Sequence, residues 1–133
     1  MNPLVAFVAV GAGGAIGSML RYAVTLVMVE RIGPGFPWHT AAINVVGSFL
    51  IGVIAVYAQS TTGVSPAASA FAIVGVLGGF TTFSTFSYDT VTLVSDGAGG
   101  LALAYCLGTV ILGVAAAITG MSLARLALHA TSG

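Results

Sequence analysis

Four long apolar runs, separated by short stretches of glycine, proline and polar residues, make up most of this chain of 133 residues. A membrane-spanning helix needs roughly 20 apolar residues, rising about 1.5 Å each, to cross about 30 Å of hydrocarbon. With short connections, a chain of this length holds four such spans. A membrane barrel requires short strands of alternating polarity, and the runs here are continuous, so helices are expected. The charge inventory agrees. Arg21, Arg31 and Arg125 are the only basic residues besides two histidines, and Glu30, Asp89 and Asp96 are the only acids. At 5% charged residues, the chain cannot build the charged shell of a soluble domain, where about 25% is usual. A hydrophobic content of 58% excludes disorder. Three scattered arginines exclude a nucleic-acid binder, which needs clustered cations. A single cysteine, Cys106, and two distant histidines form neither an internal disulfide nor a zinc site. The sequence describes a small all-α membrane protein.

The spans are predicted at about 3–29, 39–58, 66–95 and 101–126. A secretory signal is not expected at the start, because no basic segment precedes the first run. The first connection carries Gly33, Pro34, Gly35 and Pro37, with Trp38 suited to the membrane interface. The second is the polar turn at 59–63, and the third lies at 96–100. The third span is unusual. As one helix it would measure about 45 Å, longer than the bilayer core. Its middle reads Gly78-Gly79-Phe80-Thr81-Thr82, which is poor helix material. A break near 78–82, at mid-membrane, is expected. Nineteen glycines are about twice the usual share. Gly13 with Gly17, Gly75 with Gly79, Ser48 with Gly52 and Thr109 with Gly113 stand four apart, the spacing that lets helix backbones approach in lipid. Four thin helices enclose little interior, so a homo-oligomer is expected.

With four spans both termini lie on one side. Arg125 is on that side and Arg31 on the other, so the positive-inside rule sets one against one. Dual topology, with an antiparallel dimer of inverted copies, and a single orientation stand equal on charge alone.

Few residues could carry chemistry. Gly11 to Gly17 superficially resembles a dinucleotide-binding turn but lacks the soluble βαβ unit around it. Asp89 lies toward the end of the third span, where it could cap the helix or face a vestibule. Arg21 lies inside the first span, where an arginine faces a polar cavity or snorkels to the interface. Asn44 stands one turn after Thr40 on the same face, and its N–H donors suit helix locking or an anion. From Gly78 to Ser87 the chain reads GGFTTFSTFS. A helix break there releases backbone carbonyls, which suit a hard cation such as sodium. Phenylalanine rings carry positive edges that suit a small anion.

These residues carry a family resemblance. Gly13 to Tyr22 (GGAIGSMLRY), Thr40 to Phe49 (TAAINVVGSF) and Gly78 to Ser87 resemble, in order, the first-, second- and third-helix motifs of the Fluc (CrcB) family of small bacterial fluoride channels. The resemblance covers nearly the whole chain. It implies a multi-pass protein of the bacterial cytoplasmic membrane that passively exports fluoride and is not an enzyme. It implies an antiparallel dual-topology homodimer with two pores, and a structural sodium ion at its centre held by the carbonyls of Gly78 and Thr81. It places Asn44, Phe83, Phe86, Thr40, Tyr105, Thr109, Ser84 and Arg21 along the fluoride path or its vestibule. Tyr105 and Thr109 match a fourth-helix track of hydroxyls, which Gly113 and Ala117 do not continue. His39, where the family often has glycine, and Asp89, where it often has glutamate, also depart from the pattern. The competing readings are a small dual-topology multidrug or cation exporter and a non-conducting membrane assembly factor. The exporter needs a carboxylate in its first helix, and none occurs from Met1 to Val29.

Overall fold

The computed structural model describes residues 2–60 and 64–131, with the side chain of Thr131 left out of the description. The expected turn at 59–63 therefore falls partly outside the described residues. All regular structure described is helical: α1 (Pro3–Ile32), α2 (Trp38–Ser60), α3 (Pro66–Ser69), a π-helical stretch (Ala70–Leu77), α4 (Gly78–Phe80), α5 (Phe83–Ser95) and α6 (Gly99–Thr131). Four stretches are long and apolar enough to cross a membrane: Pro3–Ile32, Trp38–Ser60, Pro66–Ser95 and Gly99–Ala130. The third span has the predicted bounds, and the other three run a few residues past theirs. The first begins with Asn2, whose side chain accepts the Leu4 N–H at 2.9 Å, and Pro3, which loses nothing in a first turn. It stops at Gly33, whose φ of 91° an L side chain rarely adopts.

Large apolar side chains point outward along every span, among them Phe7, Met19, Leu103 and Ile111. In lipid that is the solvated face, since apolar burial between helices gains nothing over acyl chains. What holds the helices together is close backbone approach. A Cβ at Gly13 would strike the Phe71 carbonyl oxygen and stand 3.0 Å from Gly75 Cα. One at Gly17 would strike the Val76 carbonyl oxygen, and one at Gly79 would come within 3.0 Å of Gly14 Cα. These glycines seat α1 on the Ala70–Leu77 stretch. A second seam joins α2 to α6, where a Cβ at Gly52 would strike the Ala117 carbonyl and one at Gly120 the Phe49 carbonyl. Three of the four small-residue pairs thus lie on seams. Thr109 and Gly113 are on α6 toward α2, with Ser48 Oγ 3.4 Å from where a Gly113 Cβ would stand. An apolar core cluster gathers Phe86, Leu93, Ala102 and Tyr105 between α5 and α6, with Phe36 of the first connection against it.

Candidate functional site

Between α4 and α5 two residues leave the helical region: Thr81 at φ −77°, ψ 160° and Thr82 at φ −154°, ψ 115°. An extended pair inside an apolar segment has peptide groups that no helix satisfies, and each must find a partner. Asn44 of α2 supplies them for Thr82. Its Oδ1 accepts the Thr82 N–H at 2.8 Å, and its Nδ2 donates to the Thr82 carbonyl at 3.0 Å. Because one neighbour can only donate and the other only accept, the amide orientation is fixed by chemistry. Ser48 Oγ donates to the Asn44 carbonyl at 2.7 Å one turn on. The Thr82 side chain starts the next helix: its Oγ1 accepts the Thr85 N–H at 3.2 Å and donates to Thr85 Oγ1 at 3.0 Å. Hydroxyl N-caps serve this purpose generally.

These bonds redirect two donors. In a continuous helix the Thr82 N–H would reach the Gly78 carbonyl, and the Thr85 N–H the Thr81 carbonyl. Here the first goes to Asn44 and the second to Thr82 Oγ1, so both carbonyls lose their usual partners. The Leu77 carbonyl, by contrast, accepts both the N–H and the hydroxyl of Thr81, each at 2.9 Å.

An open groove of about 470 Å³ runs beside this point. Asn44 and Ser48 of α2, Gly78, Thr81, Phe83 and Phe86 of the third span, and Thr109 and Gly113 of α6 line it. Among the described residues no charged side chain lines it. Phe83 is 80% exposed at the groove, whereas Phe86 is buried. From there ring contacts run in series: Phe83 to Phe86 at 5.7 Å, Phe86 to Tyr105 at 5.3 Å, Tyr105 to Phe36 at 5.6 Å edge-on, and Phe36 to Trp38 at 4.4 Å. A second, more apolar cavity of about 440 Å³ lies along this line between Phe36, Trp38, Tyr105 and Thr109.

The sequence matches the profile of the family described as CrcB-like protein, Camphor Resistance (CrcB), over residues 8–121. The chain belongs to the CrcB family. It is 50% identical over 116 residues to a "Fluoride-specific ion channel FluC" of Rhizobium meliloti (strain 1021), covering 87% of this chain and 93% of that protein. It is 46% identical, with the same coverage, to one of Agrobacterium fabrum. It is 44% identical over 117 residues to one of Thermus thermophilus, covering 88% of this chain and 93% of that protein.

In this CrcB-family chain the groove gathers Asn44, Gly78, Thr81, Phe83, Phe86 and Thr109. Tyr105 lies apart from it, lining the second cavity, to which Thr109 also contributes. Thr40 is buried at 1% exposure, and its hydroxyl makes no hydrogen bond among the described residues. Ser84 is exposed, and its hydroxyl stands 3.4 Å from Thr82 Oγ1. Arg21, half-buried in α1, lines neither cavity. Asp89 is no helix cap. It lies mid-way along α5, where Oδ2 accepts the Tyr105 hydroxyl at 3.2 Å. The break in the hydroxyl track at Gly113 faces Ser48. Sequence reasoning passed over Thr82 as the partner of Asn44, since the bond spans 38 residues. It also passed over Phe36, whose place among glycines and prolines reads only as loop.

Proposed function

We propose that this chain is a fluoride-selective channel that lets fluoride leave the cytoplasm passively across the bacterial cytoplasmic membrane. It acts as an antiparallel, dual-topology homodimer with two pores. The relatives' names support fluoride as the ion. The observation that carries the reading is the Asn44–Thr82 clamp, set at the edge of an uncharged groove. Fluoride is small and tightly hydrated, so a pore must offer donors in place of water. Asn44 uses one N–H on Thr82 and keeps a second. Hydroxyls of Thr40 and Thr109 and the ring edges of Phe83 and Phe86 extend the supply, with Ser84 and Tyr105 near the same route and Arg21 toward a vestibule. None of the donors inside the groove is a cation, and conduction requires binding weak enough for release.

The structural sodium ion of the family fits the donor set. Hard cations take oxygen ligands, and the Gly78 and Thr81 carbonyls are the two that the clamp deprives of helical partners. Both residues line the groove, so two copies would offer four oxygens. Bound there, the ion would supply a fixed positive charge that neutralises the converging carbonyl dipoles. The extended pair at Thr81 and Thr82 serves, on this reading, to present them.

The deciding experiment is flux from liposomes carrying the purified protein. Fluoride should leave rapidly, followed by an electrode, while chloride should barely move. Equal release of both, or of neither, would overturn the proposal. No observation favours the exporter: α1 carries no acid before Glu30.

A further inference from the structure

Ser48 is half-buried in α2, lines the groove one turn after Asn44, and shares its face. Across from it on α6 stands Gly113. A Cβ built there would meet one atom within 4 Å, Ser48 Oγ at 3.4 Å. The space a side chain at 113 would fill therefore belongs to the groove, and the Ser48 hydroxyl borders it. That hydroxyl donates to the Asn44 carbonyl at 2.7 Å. Inside a helix this carbonyl also takes the Ser48 backbone N–H, so turning the hydroxyl away leaves no buried group without a partner. The other hydroxyls of the third span at the groove are less free. Thr82 Oγ1 spends its proton on Thr85 Oγ1 at 3.0 Å. Thr81 Oγ1 donates to the Leu77 carbonyl, and its Cγ2 is seated where a Cβ at Gly47 would stand, which fixes a β-branched side chain. Serine has no second branch and rotates freely. One turn further along both helices the groove wall turns apolar, at Ile51 and Ala117.

We infer that Ser48 is an ion-contacting residue: its hydroxyl turns from the Asn44 carbonyl into the space left open by Gly113 and donates to the passing fluoride. The inference rests on the channel reading above. Thr109 and Asn44 offer donors at one level of the groove, and at the next level α6 offers only a glycine. Ser48 continues the supply from the opposite wall. A neutral O–H that returns to its own helix carbonyl after the ion has moved on replaces a water without trapping the anion.

The test reads fluoride release from liposomes carrying the full-length protein, together with thermal unfolding of each variant. Ser48→Ala should cut the fluoride rate about ten-fold, the scale of one hydrogen bond to a charged group, and leave the unfolding temperature in place. Ser48→Ala combined with Gly113→Ser moves the hydroxyl to the facing wall and should restore the rate to within about three-fold of the wild type. Ser48→Ala combined with Gly113→Ala adds a carbon without a donor and should stay as slow as Ser48→Ala alone. The inference is overturned if Ser48→Ala releases fluoride within about two-fold of the wild type. It is equally overturned if Gly113→Ser fails to restore the rate, since Ser48 would then act through its own helix, or if Gly113→Ala restores it as well, since filled space would then be the cause. A Ser48→Ala or doubly substituted protein that no longer folds also overturns it, because the hydroxyl is taken to be dispensable to the fold and the facing space to be open. Absence of fluoride release by the wild type would instead remove the channel reading itself.

Discussion

Replacing Asn44 by alanine should destabilise the fold more than any other single polar substitution in α2. Asn44 is the partner of both peptide groups of Thr82, at 2.8 Å and 3.0 Å. A buried group left unsatisfied costs about 1–3 kcal/mol, so two give roughly 2–6 kcal/mol. Interhelical hydrogen bonds in membranes often measure nearer 0.6 kcal/mol, because the unfolded segment finds other partners. That relief is available here in part, by rewinding 81–82 into helix, so about 2–4 kcal/mol is expected. Asn44→Asp keeps an acceptor for the Thr82 N–H but faces its carbonyl with a second oxygen, and should cost about half as much. Reversible unfolding in micelles, at fixed protein concentration because oligomers link stability to concentration, can be followed through Trp38, the only tryptophan. An Asn44→Ala variant within about 0.5 kcal/mol of the wild type would refute the clamp as a structural element. Flux separates the roles: Asn44→Asp should cut fluoride release well beyond its stability loss, by setting a carboxylate on the groove.

The seams and the cap give further tests. Gly17→Ala would drive a Cβ against the Val76 carbonyl oxygen and to 2.8 Å from Phe80 N, all backbone, and should cost about 1–3 kcal/mol in thermal unfolding, the usual range for overpacking. Gly11→Ala meets nothing within 4 Å and should be neutral or slightly stabilising in the same assay, since alanine favours helix over glycine by up to about 1 kcal/mol. Thr82→Val removes the cap on the Thr85 N–H and should lose about 1 kcal/mol, with Thr82→Ser keeping most of it.

The four spans were legible because apolar length is a direct consequence of bilayer thickness, and nothing in tertiary context overrides it. Two glycine pairs on α1 and the Ala70–Phe80 region were legible for a similar reason, since close approach leaves a fixed spacing. Asn44 could be singled out as a polar residue in an apolar run, but its partner could not. Thr82 lies 38 residues away and is reached through its backbone, which leaves no side-chain signature. Asp89 shows the reverse limit. Its place late in a long apolar run allowed a cap or a vestibule, and only the start of α5 at Phe83 and its packing against α6 put it mid-helix and onto Tyr105.

The clamp between Asn44 and Thr82 also bears on how the chain is made. A segment entering the bilayer with its peptide groups unpaired pays several kcal/mol for each, and the stretch around Thr82 is finished only by a side chain from the preceding span. The third segment therefore has two routes during synthesis. It enters as one unbroken helix and unwinds locally once Asn44 is alongside, or it waits at the membrane until α2 is in place. On either route the finished shape of the third span depends on the second, because its extended pair forms only once Asn44 is alongside.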